Sequence, residues 1–160
     1  MVLKVRRVVT GHDPDGRAVV IDDGEMENVI VMPSGNSGAL MWATDETPTS
    51  VDGFDDPSGR KMGISPPPGG SAFRILEVLP GKQAFMHRTD SIDYAIIMKG
   101  VCVMKLDDGK EVEMRAGDVM VQRGTWHGWE NRSDAPAQIG FVLISAQTPE
   151  KHLHADAGTP

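Results

Sequence analysis

The second half of the chain alternates short apolar runs with turn-forming residues at close spacing, which leaves little choice of fold. The runs cover residues 72–78, 94–98, 101–106, 111–114, 119–122 and 138–145. They are separated by Pro80-Gly81, Gly100, Asp107-Asp108-Gly109, Ala116-Gly117-Asp118, Gly124 and Ser133-Asp134-Ala135-Pro136. Short strands at this spacing are typical of a β-sandwich or β-barrel. Because no stretch of helical period interrupts them, we predict an all-β domain.

The first 70 residues predict a hairpin followed by an irregular arm. Two β-rich runs, residues 2–9 and 17–21, flank an Asp-Pro-Asp-Gly turn. Residues 27–32 and 39–44 predict two more short strands, and residues 45–70 lose periodicity and fill with Pro, Gly, Asp and Ser. We therefore divide the chain into a hairpin and arm (1–70), a barrel (71–146) and a flexible tail (147–160), where His152 and His154 lie.

Composition excludes several classes of partner. The net charge of −7 argues against a nucleic-acid-binding protein, because such proteins concentrate Lys and Arg on one surface. The single cysteine, Cys102, excludes an internal disulfide framework. The N-terminus lacks the apolar core of a signal peptide, and the apolar runs are too short to span a bilayer. We predict a cytoplasmic protein that binds a small molecule and neither nucleic acid nor membrane.

Residues Tyr94 to Met98 are apolar at consecutive positions instead of alternating. A strand of this kind is buried on both faces, so it needs cover outside the barrel as well as inside. The N-terminal hairpin of the same chain or of a second copy could provide that cover. We predict a homodimer on this basis.

Two glycine-framed segments, PGKQAFMHRTDSIDYAIIMKG and GDVMVQRGTWHGWEN, carry the candidate chemistry. Alternate residues of a strand share a face, so His87 and Thr89 lie on one side and His127 and Trp129 on one side. A turn through Asp90-Ser91 lets Asp93 enter the next strand facing inward. The spacing therefore predicts that His87, Asp93 and His127 surround one point.

These segments resemble the two motifs of the cupin family, over roughly residues 71–146. The resemblance implies a double-stranded β-helix, or jelly-roll barrel, in which His, His, Glu and a further His bind one metal ion. His87 and His127 match two of the histidines, and Asp93 replaces the glutamate. Thr89 replaces the second histidine, and Gln122-Arg123-Gly124 replaces an expected proline-containing turn.

The replacement at Thr89 bears directly on the metal, because a neutral hydroxyl is a poor ligand for a divalent transition metal. The remaining set of two histidines and one carboxylate suits Fe(II) and also serves Mn, Ni or Zn. We predict His87, Asp93 and His127 as metal ligands, with no metal as the alternative. Thr89 and Trp129 are predicted to face the substrate.

The leading hypothesis is a metal-assisted enzyme, of lyase, isomerase or dioxygenase type, that acts on a small organic acid or an oxygenated ring compound. One alternative is a metal-free enzyme that uses His87 or His127 as general base, and another is a non-catalytic binding protein. Arg88 and Arg123 could anchor a carboxylate. Alternation points Arg88 outward, however, which favours a surface or interface role for it.

Overall fold

The computed structural model describes residues 3–154, which form eleven strands and two short 3-10 turns. The strands are β1 (Arg6–His12), β2 (Ala18–Glu25), β3 (Ile30–Val31), β4 (Ser37–Thr44), β5 (Ser71–Val78), β6 (Ser91–Lys99), β7 (Val101–Lys105), β8 (Glu111–Arg115), β9 (Val119–Arg123), β10 (Gly128–Glu130) and β11 (Ala137–Ser145). The 3-10 turns lie at Pro57–Gly59 and Asp107–Gly109. The prediction of an all-β fold is confirmed.

Two antiparallel sheets form the barrel. A six-stranded sheet has the order β3-β4-β5-β11-β6-β9, and a three-stranded sheet has the order β10-β7-β8. The main core lies between them, with Val78, Ala95, Ile97, Ala137 and Ile139 from the larger sheet and Cys102, Met104, Met114 and Trp129 from the smaller one. This face-to-face burial is the jelly-roll arrangement that the resemblance to the cupin motifs implies.

The strand pattern differs from the predicted one at two places. The segment 27–32 contributes only the two residues of β3, because the Asn28 amide donates to the carbonyls of Leu40 and Ser58 and so holds the chain out of the sheet. Strand β10 is an addition within the second glycine-framed segment. Three residues, one of them a glycine, are too few for a periodic pattern to reveal.

The N-terminal hairpin covers the outer face of its own barrel at β4 and β5. Strands β1 and β2 pair along their whole length, and Leu3 packs with Ala39, Met41 and Ile75. Arg7 fixes the hairpin in place, because its guanidinium donates to the Met41 carbonyl and to Asp22 and Asp56. Residues 1 and 2 of the predicted arm lie outside the described residues.

The hairpin does not reach β6, so the outward side chains of this strand are open in the single chain. Tyr94, Ile96 and Met98 are 47%, 51% and 49% exposed, whereas Ala95 and Ile97 are buried. The expectation that this strand is buried on both faces is therefore wrong for one chain alone. The inner face alone packs into the core.

Residues 147–154 of the predicted flexible tail make specific contacts with the barrel. The Thr148 hydroxyl donates to Asp90, the Arg88 guanidinium donates to the His154 carbonyl, and the His154 ring stacks on Trp126 at 4.2 Å. Residues 155–160 lie outside the described residues. Within the part of the chain that is described, no helix is long and apolar enough to cross a membrane.

Candidate functional site in the barrel

His87 and His127 face each other across a short antiparallel bridge between the two glycine-framed segments. The backbone amide of each donates to the carbonyl of the other at 2.8 Å, and the ring centroids are 4.4 Å apart. Gly128 makes this approach possible, because a Cβ atom there would lie 2.8 Å from the Met86 sulfur and 3.0 Å from the Phe85 carbonyl oxygen. The predicted pairing of these two histidines is present in the structure.

Both imidazoles are held in the same tautomer. Nδ1 of His87 lies 3.1 Å from the Phe85 carbonyl oxygen, and Nδ1 of His127 lies 2.9 Å from the Thr125 carbonyl oxygen. A carbonyl oxygen only accepts hydrogen bonds, so each Nδ1 must carry the proton. The lone pair of each ring is therefore on Nε2, where it can bind a metal or accept a proton.

Burial keeps this pair neutral near pH 7. Loss of hydration lowers the pKa of His87, and burial, with the neighbouring His87 as a smaller cause, lowers the pKa of His127 to about 4. Protonation of one ring disfavours protonation of the other, so the pair accepts one proton more readily than two. The two rings are therefore weak bases, each with an unprotonated Nε2 atom.

Asp93 lies on the inner face at the start of β6 and belongs to a chain of hydroxyl groups. The Ser91 hydroxyl donates to its Oδ1 at 2.6 Å, and the Thr89 hydroxyl lies 2.7 Å from that of Ser91. All three residues are buried. Burial raises the pKa of Asp93 to about 6, against the smaller, opposing effect of the Ser91 hydrogen bond.

The donor set fits a transition metal only in part. Two neutral imidazoles with free Nε2 atoms are suitable ligands, but among residues 3–154 no three His, Cys, Asp or Glu side chains lie close enough to enclose an ion. A site of this kind generally needs three protein ligands. The assignment of His87, Asp93 and His127 to a metal therefore stays a prediction.

The two residues predicted to face the substrate are both inside the barrel. Thr89 is 2% exposed and its hydroxyl is bound to Ser91. Trp129 packs in the main core and meets Phe141 edge to face at 5.7 Å. Its indole Nε1 is buried and has no hydrogen-bond partner among the described residues. Whether either residue contacts a substrate stays a prediction.

The expectation that Arg88 lies at the surface is wrong. Arg88 is 2% exposed, because the tail covers the outer face of the histidine bridge, where Arg88 and Trp126 lie side by side. Its guanidinium donates to Asp90 at 2.7 Å and to the His154 carbonyl at 3.0 Å. Arg88 is thus already paired and holds the bridge against the tail. Alternation identified its face correctly but could not show what covers that face.

Sequence reasoning missed three polar residues of the barrel interior. Ser91 connects Thr89 to Asp93, and the spacing of two residues between them was a usable signal. Gln122 pairs directly with Asp93 across β6 and β9, and its buried Oε1 has no partner among the described residues. Arg74 is the one basic residue of β5, on the inward side of the strand with Ala72 and Leu76.

Comparison with known proteins identifies the family of this chain. The family model for the cupin domain matches residues 74–144. The chain is 34% identical over 151 residues to the cupin-domain-containing oxidoreductase fogC of Aspergillus ruber, which covers 88% of this chain and 72% of the relative. This chain is a cupin. It is also 37% identical over 153 residues, 90% of its own length and 80% of the relative, to the phomopsin biosynthesis cluster protein C' of Diaporthe leptostromiformis.

Solved structures agree on the fold of this cupin. A protein from Salmonella typhimurium LT2, described as ethanolamine utilization protein Q, superimposes with a TM-score of 0.50 at 11% identity. The superposition covers 91% of this chain and 99% of that chain. The likeness therefore includes the N-terminal arm as well as the barrel.

Proposed function

We propose that this cupin is an enzyme that removes a proton from a small organic molecule held in the barrel. The observation that carries the proposal is the pair of neutral imidazoles, buried at His127 and partly buried at His87, whose Nδ1 protons are fixed by backbone carbonyls. Each Nε2 carries a free lone pair that can accept a proton, and a positioned general base contributes about 10²- to 10⁴-fold to a rate. Two relatives are named as cupin-domain-containing oxidoreductases, which supports an enzymatic role for this cupin.

Asp93 has a separate part in this proposal. With a pKa of about 6, its carboxyl group exchanges a proton near neutral pH. The hydroxyls of Ser91 and Thr89 extend from it toward the segment that carries His87. A proton taken by the histidine pair can therefore be returned to the ligand by a second group in the same barrel.

The experiment that tests the proposal measures deuterium exchange at carbon. Pyruvate, 2-oxobutyrate and phenylpyruvate are incubated with the protein in D₂O, and loss of the proton signal next to the carbonyl is followed by NMR. We expect exchange above the buffer rate, reduced roughly 100-fold in His127→Gln because the base is lost. His12→Gln, at the exposed end of β1, is the matched control and should exchange like the parent. Equal exchange by His127→Gln would contradict the proposal.

A metal-assisted enzyme is the second candidate, and the two free Nε2 atoms favour it. Bound Fe, Mn, Ni or Zn would act as a Lewis acid toward a chelating substrate. The same exchange assay separates the candidates when it is repeated after dialysis against EDTA, with metal content measured on protein purified without a chelator. Stoichiometric metal, with exchange that stops after EDTA treatment, would support the second candidate and contradict the first.

We further propose that two copies of this cupin associate through the open outer face of the larger sheet. Its exposed apolar side chains are Phe73, Tyr94, Ile96, Met98, Val119 and Val121. These side chains form one surface, because β6 and β9 are adjacent and pair Tyr94 with Val121 and Ile96 with Val119. A continuous exposed patch of six large apolar side chains is typical of a surface that associates with another protein.

This association predicts a dimer by sedimentation that dissociates in Ile96→Glu. The substitution places a charge at the centre of the face, where a second copy would bury it without a partner. Val20→Glu is the matched control, because Val20 is a valine of the hairpin that is 59% exposed and lies away from the proposed face. A monomeric parent protein, or a dimer that Val20→Glu alone disrupts, would rule out this interface.

A further inference from the structure

Arg74 is a partly buried arginine with no carboxylate within salt-bridge distance among residues 3–154. Seven of the arginines form salt bridges within residues 3–154, namely Arg6, Arg7, Arg17, Arg60, Arg88, Arg115 and Arg132. Arg123 is exposed at the end of β9. Arg74, by contrast, points to the interior side of β5, where burial lowers the pKa of its guanidinium. A desolvated cation of this kind is costly unless an anion joins it.

The hydrogen bonding of Arg74 is half complete. Its Nη2 donates to the Gly63 carbonyl oxygen, while its Nε is buried with no partner. These two N–H groups form one edge of the guanidinium, the fork that binds the two oxygens of a carboxylate. Arg6 shows the complete arrangement on the surface, where Nε and Nη2 donate to the two oxygens of Asp23 at 2.7 and 2.9 Å.

The position of Arg74 in the sheet connects it to the candidate site. Arg74 pairs with Phe141, which pairs with Ala95. Asp93 therefore lies on the same inner face, two strands away and one inward position along the strand. By strand spacing their Cα atoms are roughly 12 Å apart, a gap that a guanidinium and a small ligand can fill together.

We infer that Arg74 binds the carboxylate of a small organic acid inside the barrel, with Nε and Nη2 as the two donors. The acid displaces the Gly63 carbonyl, a neutral acceptor contributed by the arm, and gives the fork two charged oxygens instead of one neutral oxygen. The ligand then extends past Phe141 toward Asp93. The inference rests on the proposed use of the barrel as a ligand site, but not on the reaction there.

The test measures binding and needs no turnover. Acetate, benzoate and phenylacetate are titrated against the protein, with the matching amides acetamide, benzamide and phenylacetamide as neutral controls. The signal is the side-chain Nε–H resonance of Arg74 in a ¹H–¹⁵N NMR spectrum, assigned by its absence in Arg74→Met. We expect at least one acid to shift this resonance to saturation, and its amide to leave it in place.

Substitutions of Arg74 distinguish hydrogen bonding by the two guanidinium donors from attraction by the positive charge alone. Arg74→Met should weaken binding of that acid more than tenfold, and Arg74→Lys should weaken it also, since it keeps the charge but loses the fork. Arg123→Met removes the same charge from an exposed position and should bind like the parent. The binding of each variant is followed by the shift of the Trp129 indole resonance, after circular dichroism has shown that the fold is retained.

Three results would overturn the inference: no acid binds the parent, the amides bind as well as the acids, or Arg74→Met binds as tightly as Arg123→Met. Tighter binding of inorganic phosphate than of any carboxylate would overturn the ligand class. A protein that binds the acids through Arg74 yet fails the deuterium exchange test would retain this site and lose the proposed reaction. The two failures are therefore distinguishable.

Discussion

Replacement of Asp93 by asparagine is expected to stabilise the fold at pH 8 by about 3 kcal/mol. Burial raises the pKa of Asp93 from 3.8 to about 6, so the folded state binds this proton more tightly than the unfolded state does. Stability is therefore lost as the pH rises from 3.8 to 6 and does not return above that range. Each pKa unit corresponds to about 1.4 kcal/mol. Asparagine carries no charge, and its oxygen still accepts from Ser91.

Urea unfolding at several pH values between 4.5 and 8 measures this effect. The gain from Asp93→Asn should be largest at pH 8 and should shrink as the solution is acidified toward pH 4.5. Asp134→Asn is the control, because Asp134 is an exposed aspartate of the turn before β11 and its replacement removes the same charge. A variant that is less stable than the parent at pH 8 would show that the Asp93 carboxylate has a favourable partner in the fold.

His127→Gln is expected to change the pH dependence of folding stability by a similar amount, in the direction opposite to that of Asp93→Asn. Burial lowers the pKa of His127 from 6.5 to about 4, so here the unfolded state binds the proton more tightly. The stability that depends on His127 is fully present above pH 6.5 and is lost as the pH falls toward 4, by about 3 kcal/mol. Glutamine removes this titration while it can still donate to the Thr125 carbonyl.

The two titrations nearly cancel in the parent protein, because their pH ranges overlap. We therefore expect a nearly flat stability between pH 8 and 4.5 in the parent. Between pH 8 and 4.5, Asp93→Asn should lose about 2.5 kcal/mol of stability on acidification, and His127→Gln should gain about 2 kcal/mol. The double variant should be flat again. Parallel curves for the parent and both single variants would show that neither group has the environment described above.

This cancellation has a functional counterpart. Burial lowers the pKa of His127 and raises the pKa of Asp93. A base and an acid whose pKa values are shifted in this way are typical of sites that transfer protons. At pH 7 both histidines are neutral, and Asp93, with a pKa of about 6, is mostly ionised and still exchanges its proton. Each of these pKa shifts lowers folding stability over part of the pH range, which is expected when the groups serve the site and not the fold.

The fold and the histidine pair followed from the sequence because both depend on local rules. Glycine and proline turns mark the ends of strands, and alternation assigns His87, Thr89, Asp93, His127 and Trp129 to the inner face. The barrel then brings the two glycine-framed segments together. Strand β10 and the two-residue length of β3 were missed, because three-residue elements have no period and because the Asn28 side chain competes with the sheet.

The details that determine the chemistry did not follow from the sequence. The tautomer of each histidine depends on a carbonyl two residues earlier, which becomes an acceptor only when the backbone bends at the bridge. Arg88 was expected at the surface, since the pattern shows which face a residue occupies but not that the tail covers it. The pattern of β5 predicts a strand that includes Arg74 but gives no role to its charge.

The sequence by itself determined the barrel, the inner and outer faces of its strands, and the residues available to a site, because alternation and turn chemistry act over a few residues. Only the tertiary structure decided which of those residues meet. It placed His87 against His127 and tied Asp93 to Ser91 and Thr89. It also left the Nε of Arg74 without a hydrogen-bond partner among the described residues. Proton affinity and charge pairing depend on burial and on neighbours distant in the chain, and these exist only once the two sheets close over the core.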